Sequence, residues 1–455
     1  MSEVNDMNAF DRRAFIKAIA AASSVSLLNV PNAHAAKAKA KARVVVVGGG
    51  YGGATAAKYL RLLDSGIDVT LIERETLYTS CPLSNEVISG ERDIKTLQVG
   101  YKGLLKHGVK VVHDEVTQID PVKKTVSTAG GKNFEYDALV LSPGVDFNYG
   151  AVGGLTEQLA QTKLPHAWKA GPQTLLLKKQ LEAMPDGGKF IISVPPGPFR
   201  CPPGPYERAA QVALHCKTHG KKKAKVLILD HNDSFSKKPL FEQAWKELYG
   251  YGEGGMIEWI SGSNDGKVER VDPETLTCYT GFGEFKGDVV NIIPPHHAGK
   301  IAKNLGLATF KDKWCEVKPD SMESTKTKDI YVIGDACVGG ELATNNGFPK
   351  SAHMAMSQAK VVAANLVAKF NALPAPQAIY TNTCYSVVAH DWGFSVVHLY
   401  RVRDGQWVYI KEGSGISPVT FGTKEKPEPV PRIYRRLEVE YADGWLRNVL
   451  ADAFA

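Results

Sequence analysis

A glycine-rich turn between a short apolar strand and a helix limits what this chain can fold into more than any other feature. Arg43-Val-Val-Val-Val47 is β-branched after its first residue, the pattern of a parallel strand covered on both faces. Gly48-Gly-Gly50-Tyr-Gly-Gly53 follows, and Ala54 to Leu63 reads as a helix. Gly48, Gly50 and Gly53 have G-x-G-x-x-G spacing at this strand-to-helix turn. Glycines there permit the tight turn, the close approach of backbone to a pyrophosphate, and the packing of helix on strand. Glu73 ends the next strand, Val69-Thr-Leu-Ile-Glu73, where an acid can accept hydrogen bonds from ribose hydroxyls. Strand, glycines, helix, strand and acid in this order predict a dinucleotide-binding lobe from residue 36 to about 150.

Residues 151–298 alternate strand-like segments (189–194, 225–229, 288–293) with helix-like ones (207–219, 240–249), so a second lobe of the same architecture is expected. Its phosphate loop is of a different kind. Pro195, Pro196, Pro198, Pro202, Pro203 and Pro205 each lack a backbone N–H, and pyrophosphate binding needs those donors. The loop is therefore not expected to hold a nicotinamide cofactor. It presents the thiol of Cys201 instead.

Two later segments indicate which dinucleotide the first lobe takes. Asp329-Ile-Tyr-Val-Ile-Gly334-Asp335-Ala336 resembles the late motif of two-dinucleotide flavoproteins, whose aspartate binds the ribityl-phosphate side of FAD. Asp137-Ala-Leu-Val-Leu-Ser-Pro-Gly144 resembles their strand-plus-glycine connection. The expected cofactor is thus FAD, with residues 299–373 returning to the first lobe. Pro374-Ala-Pro376 marks a linker, and residues 374–455 read as an antiparallel interface domain from runs such as Phe394–Tyr400 and Gln406–Ile410. The 455 residues suffice for these cores. The expected fold class is α/β: two Rossmann-like three-layer nucleotide-binding domains plus a C-terminal α+β interface domain.

The N-terminus reads as an address. Arg12-Arg13, a modest apolar stretch to Val30 and Ala33-His-Ala35 fit a twin-arginine signal peptide over residues 1–35, implying export of a folded protein to the periplasm. No later segment reaches the ~18 uncharged apolar residues of a membrane span. The formal charge is +7, and Lys217, Lys221, Lys222, Lys223 and Lys225 cluster after a helix, as a solvated helix end does. No nucleic-acid reader motif occurs, and the twelve histidines lack metal-ligand spacing; His296-His297 is expected in a loop.

Seven cysteines stand at 81, 201, 216, 278, 315, 337 and 384. Cys216 has the apolar neighbours of a core helix, and Cys278, Cys315 and Cys337 read as buried structural thiols. The other three have distinctive contexts: Tyr78-Thr-Ser-Cys81-Pro-Leu-Ser-Asn-Glu-Val87, Cys201-Pro-Pro-Gly-Pro-Tyr-Glu207 and Asn382-Thr-Cys384-Tyr-Ser386. With the Gly-Asp strand and Pro349-Lys350-Ser351, these resemble the flavoprotein subunit of flavocytochrome c sulfide dehydrogenase, in the superfamily of sulfide:quinone oxidoreductases and glutathione-reductase-like flavoproteins. The likeness runs through essentially the whole chain after the leader.

That resemblance implies roles residue by residue. Cys81 matches the cysteine joined to the flavin as a thioether, although Ser80 and Pro82 beside it depart from the family pattern. Cys201 and Cys384 match a redox disulfide beside the flavin ring, and Glu207 matches an acid/base. Gly48, Gly50, Gly53, Glu73, Arg74, Gly144, Gly334, Asp335 and Lys350 fall at cofactor-binding positions. The implied reaction is oxidation of sulfide to sulfur or polysulfide, begun by HS⁻ attacking the disulfide. Electrons then leave singly to a c-type cytochrome, a separate subunit in a heterodimer, because this chain has no C-x-x-C-H for haem c. Two alternatives remain: a sulfide:quinone oxidoreductase, which needs a membrane-docking terminus, and a flavin-binding or assembly protein without turnover. For the first, only Gly444 to Phe454 reads as amphipathic, and it is short.

Overall fold

A computed structural model describes residues 40–338 and 348–455. The twin-arginine reading at 1–35 lies outside the described residues. Strand β1 (Ala42–Val47) leads into helix α1 (Tyr51–Leu63), β2 (Ile67–Ile72), β3 (Lys110–Val112) and β4 (Ala138–Leu141). A second run follows: β5 (Lys189–Val194), α2 (Gly204–Thr218), β6 (Lys225–Asp230), α3 (Lys238–Leu248), β7 (Ile257–Ile260) and β8 (Val289–Ile292). The chain continues through β9 (Ile330–Val332) and α4 (Ala352–Phe370) to a hairpin, β10 (Ile379–Ala389) and β11 (Trp392–Arg403), and ends in α5 (Arg432–Phe454).

The first five-stranded sheet has the order β9-β4-β1-β2-β3 and is parallel throughout. Its central strand is buried almost end to end, which is why Val44 to Val47 read as an unbroken apolar run. The three glycine motifs follow β1, β4 and β9, so Gly48, Gly144 and Gly334 meet at the carboxyl edge of one sheet, where ligands of such folds bind. The second sheet, β7-β6-β5-β8, is parallel as well. At its carboxyl edge, side chains fill the space after β5 and β6. Tyr206 donates to Asp230 at 2.6 Å and stacks on Phe235 at 3.8 Å, and Asn232 binds the Pro195 carbonyl at 2.9 Å. The fold is therefore α/β, with two Rossmann-type lobes and a C-terminal hairpin-and-helix unit.

Two local expectations need correction, and the helical part of the expected α+β domain at 374–455 is longer than the stretch Gly444 to Phe454 read as amphipathic, because α5 spans 23 residues. Its buried residues Ala442, Leu446, Val449 and Ala453 recur at helical spacing, a stripe obscured by Gly444 and the polar residues between. Helix α2 begins at Gly204 rather than Glu207, since Pro205 fits the first turn, where its missing N–H needs no partner. His296 lies in a short strand, His296–Ala298, paired with Val145–Phe147, and is not in a loop.

Helix α5 bears on the site through its end. Phe454 is 1% exposed; its ring stacks on Tyr78 at 5.3 Å and lies 5.8 Å from Tyr51. Lys58 donates to the carbonyls of Ala451 and Asp452, satisfying a helix terminus that favours cations. Phe454→Ala is therefore expected to lower stability by about 3–5 kcal/mol, read by urea denaturation. It should also loosen Tyr78, three residues from Cys81.

Candidate active site

The glycine turn is shaped by contacts that tolerate no side chain. Gly48 has φ +95°, in the left-handed region. A Cβ on Gly53 would lie 1.8 Å from the Gly48 carbonyl oxygen, and one on Gly48 would lie 2.3 Å from that of Ser142. Gly50 caps α1 without a side-chain acceptor, so the first helical N–H groups face outward as an anion site. The Glu73 carboxylate accepts from the Gly49 N–H at 2.6 Å, at the ribose position of such folds. Arg74 lies apart from this cradle, exposed and paired with Glu75 at 3.2 Å.

Across the sheet edge, Gly334 (φ +74°) and Gly144 (φ +64°) both adopt left-handed turns. Asp335 Oδ1 is buried without a hydrogen-bond partner. Burial pushes its carboxyl pKa up, against the pull of Arg200 and Lys350. A buried orphan acceptor of this kind fits the hydroxyl of a bound ligand. Lys350 donates to the carbonyls of Asp335 (2.8 Å) and Cys337 (2.9 Å) and lies 3.7 Å from the Trp314 ring. Burial lowers its pKa to about 8. An open helix terminus, an acid near the glycine turn and an unsatisfied aspartate oxygen on the next edge together fit a dinucleotide such as FAD.

Cys81 is partly exposed and sits just before the short helix Asn85–Ser89. Beside it, Tyr51 and Ser80 share a hydrogen bond of 2.8 Å. Arg200 links this region to Cys201. Its Nε lies 3.9 Å from Asp335, and it stands in the fields of Cys81, Asp335, Tyr78 and Cys201. Its backbone N–H donates to His296 at 3.0 Å, and its guanidinium holds the Trp168 carbonyl.

Cys201, Cys384 and Glu207 come together from three elements. Cys201 occupies a left-handed turn (φ 56°) pinned by its N–H to the Lys350 carbonyl at 2.9 Å. Such backbone is uncommon outside glycine and occurs at sites where a side chain must be aimed. A Cβ on Gly204 would stand 3.0 Å from the Cys201 sulfur, so glycine leaves room for it. Cys384 lies on β10 opposite Val396. All seven cysteines are free thiols in this structure, and Cys216, Cys278, Cys315 and Cys337 are buried. Burial pushes the Cys201 thiol well up, and the charges of Cys384 and Glu207 add to this against Lys237 and Arg200. Cys384 is raised for the same first reason, with Lys237 opposing. Lys237 and Arg200 supply a positive field, but desolvation outweighs it.

Glu207 is 5% exposed and accepts from the Val387 N–H at 3.1 Å. Burial raises its pKa to about 7, while the Val387 N–H and Lys237 pull it down. Folded protein therefore keeps a proton that the unfolded chain, near 4.5, releases. The stability this gives is present below about pH 4.5 and is lost as pH rises through about 7. Glu207→Gln is expected to raise stability at pH 8 relative to pH 5 by at most about 3 kcal/mol, read from melting curves at both pH values. Val387, which donates to Glu207, also lines a cleft of about 520 Å³ whose walls include Glu86, Arg92, Gln211, His390 and Asp443. Glu86 is buried there, its pKa raised by desolvation and its carboxylate held by Arg92 at 2.6 Å.

Two residues of the cluster escaped the sequence reading. Lys237 reaches the Cys384 carbonyl at 2.9 Å from a polar run, Ser234-Phe-Ser-Lys-Lys238, that looks like any surface helix start. Arg200 adjoins Cys201 in sequence, and that adjacency was the available signal. Among the described residues no group of three or more metal-ligating side chains converges, and no helix is long and apolar enough to cross a membrane.

Comparison with known proteins matches three parts of the chain. A family profile described as the central part of sulfide dehydrogenase [flavocytochrome c] flavoprotein chains matches residues 174–294. One described as flavocytochrome c sulphide dehydrogenase, flavin-binding, matches 376–454, and a pyridine nucleotide-disulphide oxidoreductase profile matches 42–170. The sulfide dehydrogenase [flavocytochrome c] flavoprotein chain of Chlorobaculum thiosulfatiphilum is 64% identical over 42 residues, 88% of that sequence and 9% of this one. A mitochondrial sulfide:quinone oxidoreductase of Dictyostelium discoideum is 25% identical over 335 residues, 71% of this chain and 70% of the relative. The sulfide-quinone reductase of Aquifex aeolicus is 30% identical over 176 residues, 38% of this chain and 39% of that enzyme. The solved structure of the Aquifex aeolicus sulfide:quinone oxidoreductase superimposes with a TM-score of 0.68 at 19% identity, covering 90% of this chain and 91% of the other, a likeness of fold.

Proposed function

Because this chain belongs to the flavoprotein chains of flavocytochrome c sulfide dehydrogenase, within the flavoproteins that include the sulfide:quinone oxidoreductases, we propose that it oxidises sulfide and passes the electrons singly to a c-type cytochrome subunit. The observation that carries this reading is the cluster of the half-buried Cys201 and Cys384 with the buried Glu207, linked by Arg200 to the Asp335 edge.

In this reading the oxidised resting enzyme joins Cys201 and Cys384, free thiols in this structure, as a disulfide. HS⁻ adds to one of the two sulfurs and breaks the S–S bond, leaving a persulfide on that cysteine and a thiolate on the other. Glu207, with a pKa of about 7, takes the persulfide proton and returns it to water through the cleft. FAD, when bound, would accept the electron pair given up as the persulfide and thiolate sulfurs join in a Cys201–S–S–S–Cys384 bridge, and could release it one electron at a time. Gly48, Gly50, Gly53 and Glu73 would hold its pyrophosphate and adenosine ribose, Gly144, Gly334, Asp335 and Lys350 would hold its ribityl side, and Cys81 would carry the covalent link. Haem belongs to the partner, since no C-x-x-C-H occurs here. The leader read at residues 1–35 supports a periplasmic setting.

Quinone is the second acceptor to weigh, favoured by the 335-residue similarity to a sulfide:quinone oxidoreductase. The test is anaerobic turnover of the flavin-loaded chain with sulfide, offering cytochrome c and a short-chain quinone in parallel. Faster cytochrome reduction supports the cytochrome reading; faster quinone reduction replaces it.

A further inference from the structure

Lys237 is 6% exposed, yet its hydrogen-bond partners are both neutral: the Cys384 carbonyl at 2.9 Å and the Ser386 hydroxyl at 3.1 Å. Its ammonium also lies 5.7 Å from the Phe394 ring. Next to it, Lys238 pairs with Glu242 and rests on Trp259, as a surface lysine does. The Lys237 backbone is fixed in a left-handed turn (φ 62°) because its carbonyl accepts from Leu240 and Phe241 at the start of α3. Nothing about that turn requires a cation to point inward.

The groups facing this ammonium explain why it is there. Glu207 approaches from α2, Cys201 from the proline loop, Cys384 from β10 and His398 from β11, and all four feel its field. Of the other cations near Cys201, the half-buried Arg200 is shared with Asp335 and Cys81, and the buried Arg208 is taken up by Asn85, Asn291 and the carbonyls of His166 and Ala167. Placing an ammonium away from water beside neutral groups is costly, and the cost falls once an anion forms next to it. Opening a disulfide with HS⁻ forms such an anion. The incoming negative charge is conserved, and it ends on a cysteine sulfur in the same buried space.

We propose that Lys237 is a positioning residue of the sulfur pair, holding the negative charge that arrives with HS⁻ and remains on a cysteine when the Cys201–Cys384 bond opens. The inference rests on the sulfide reading for its chemistry, but its test does not use sulfide. Flavin-loaded wild-type protein, Lys237→Met and Lys237→Arg are reduced with dithiothreitol, freed of it, and alkylated with iodoacetamide from pH 6 to 10. Labelling of Cys201 and Cys384 is followed by peptide mass spectrometry. In Lys237→Met the labelling curve of at least one of the two should move up by about one pH unit, slowing labelling near pH 7.5 about tenfold, and Lys237→Arg should restore most of it. Lys237→Gln serves the same comparison where Lys237→Met fails to fold. Superimposable wild-type and variant curves, or an arginine variant as impaired as the neutral one, overturn the proposal. A wild-type flavin that sulfide fails to bleach overturns the sulfide reading instead, whatever the labelling curves.

Discussion

Replacing Cys384 with serine is expected to lower the rate of sulfide-dependent flavin bleaching by at least about a thousandfold, with flavin content and melting temperature close to wild type. The reason is electrophilicity. A disulfide sulfur accepts HS⁻ with a thiolate as leaving group, whereas a serine hydroxyl and a lone thiol offer no bond to break. The fold has little stake in this sulfur. Cys384 sits in the β10–β11 ladder opposite Val396, and Lys237 binds its backbone carbonyl, which serine keeps. Cys201→Ser should behave alike, since Gly204 leaves room beside that side chain. Stopped-flow absorbance under anaerobic conditions reads both. A flavin-binding protein without turnover would be indifferent to either substitution, so equal rates in wild type and variants would favour that alternative.

Gly53→Ala should have the largest effect on the protein itself. The added methyl would sit 1.8 Å from the Gly48 carbonyl oxygen and 3.3 Å from a Val46 methyl. The first of these is backbone, so no rotamer change relieves the clash, and α1 must move away from β1. We expect a loss of about 4 kcal/mol or more together with failure to retain flavin, because the displaced helix start is the one that faces the pyrophosphate. Gly90→Ala is the control. That glycine, unlike Gly53, has positive φ (+93°), and nothing lies within 4 Å of its Cβ position, so only the backbone penalty of about 1–2 kcal/mol applies. Urea denaturation and flavin-to-protein absorbance ratios separate the two. Similar losses in both variants would mean that the close contact of Gly53 with the Gly48 carbonyl costs no more than backbone strain alone, contradicting the packing role.

Much of this architecture was legible because it rests on local rules. A β-branched run followed by spaced glycines can be read as a buried strand and its phosphate turn, and β1 and α1 appear where that pattern predicts. The strand 189–194 was likewise visible from its composition. What escaped depends on partners distant in sequence. Of helix α5 only Gly444 to Phe454 showed a pattern; the run before it, Arg432 to Tyr441, is half charged and of it only Arg435 is buried. Lys237 gains its meaning from Cys384 and Ser386, nearly 150 residues away, and no local pattern distinguishes it from Lys238. The thiol cluster was legible in its members, because proline around Cys201 and polar residues around Cys384 are unlike core cysteines. Its electrostatics were not, since burial decides the direction of both thiol shifts and burial is a property of the assembled fold.

The most direct test of the central claim is an anaerobic titration of the oxidised, flavin-loaded chain with sulfide, followed by flavin absorbance and by mass spectrometry of the Cys201 and Cys384 peptides. Attack of HS⁻ on the Cys201–Cys384 bond, followed by loss of the electron pair, predicts bleaching that is complete near one sulfide per flavin, with a disulfide-linked peptide pair before addition and the same pair bridged through one extra sulfur after it. A flavin that stays oxidised under excess sulfide, or bleaching without any change at those two cysteines, would contradict it.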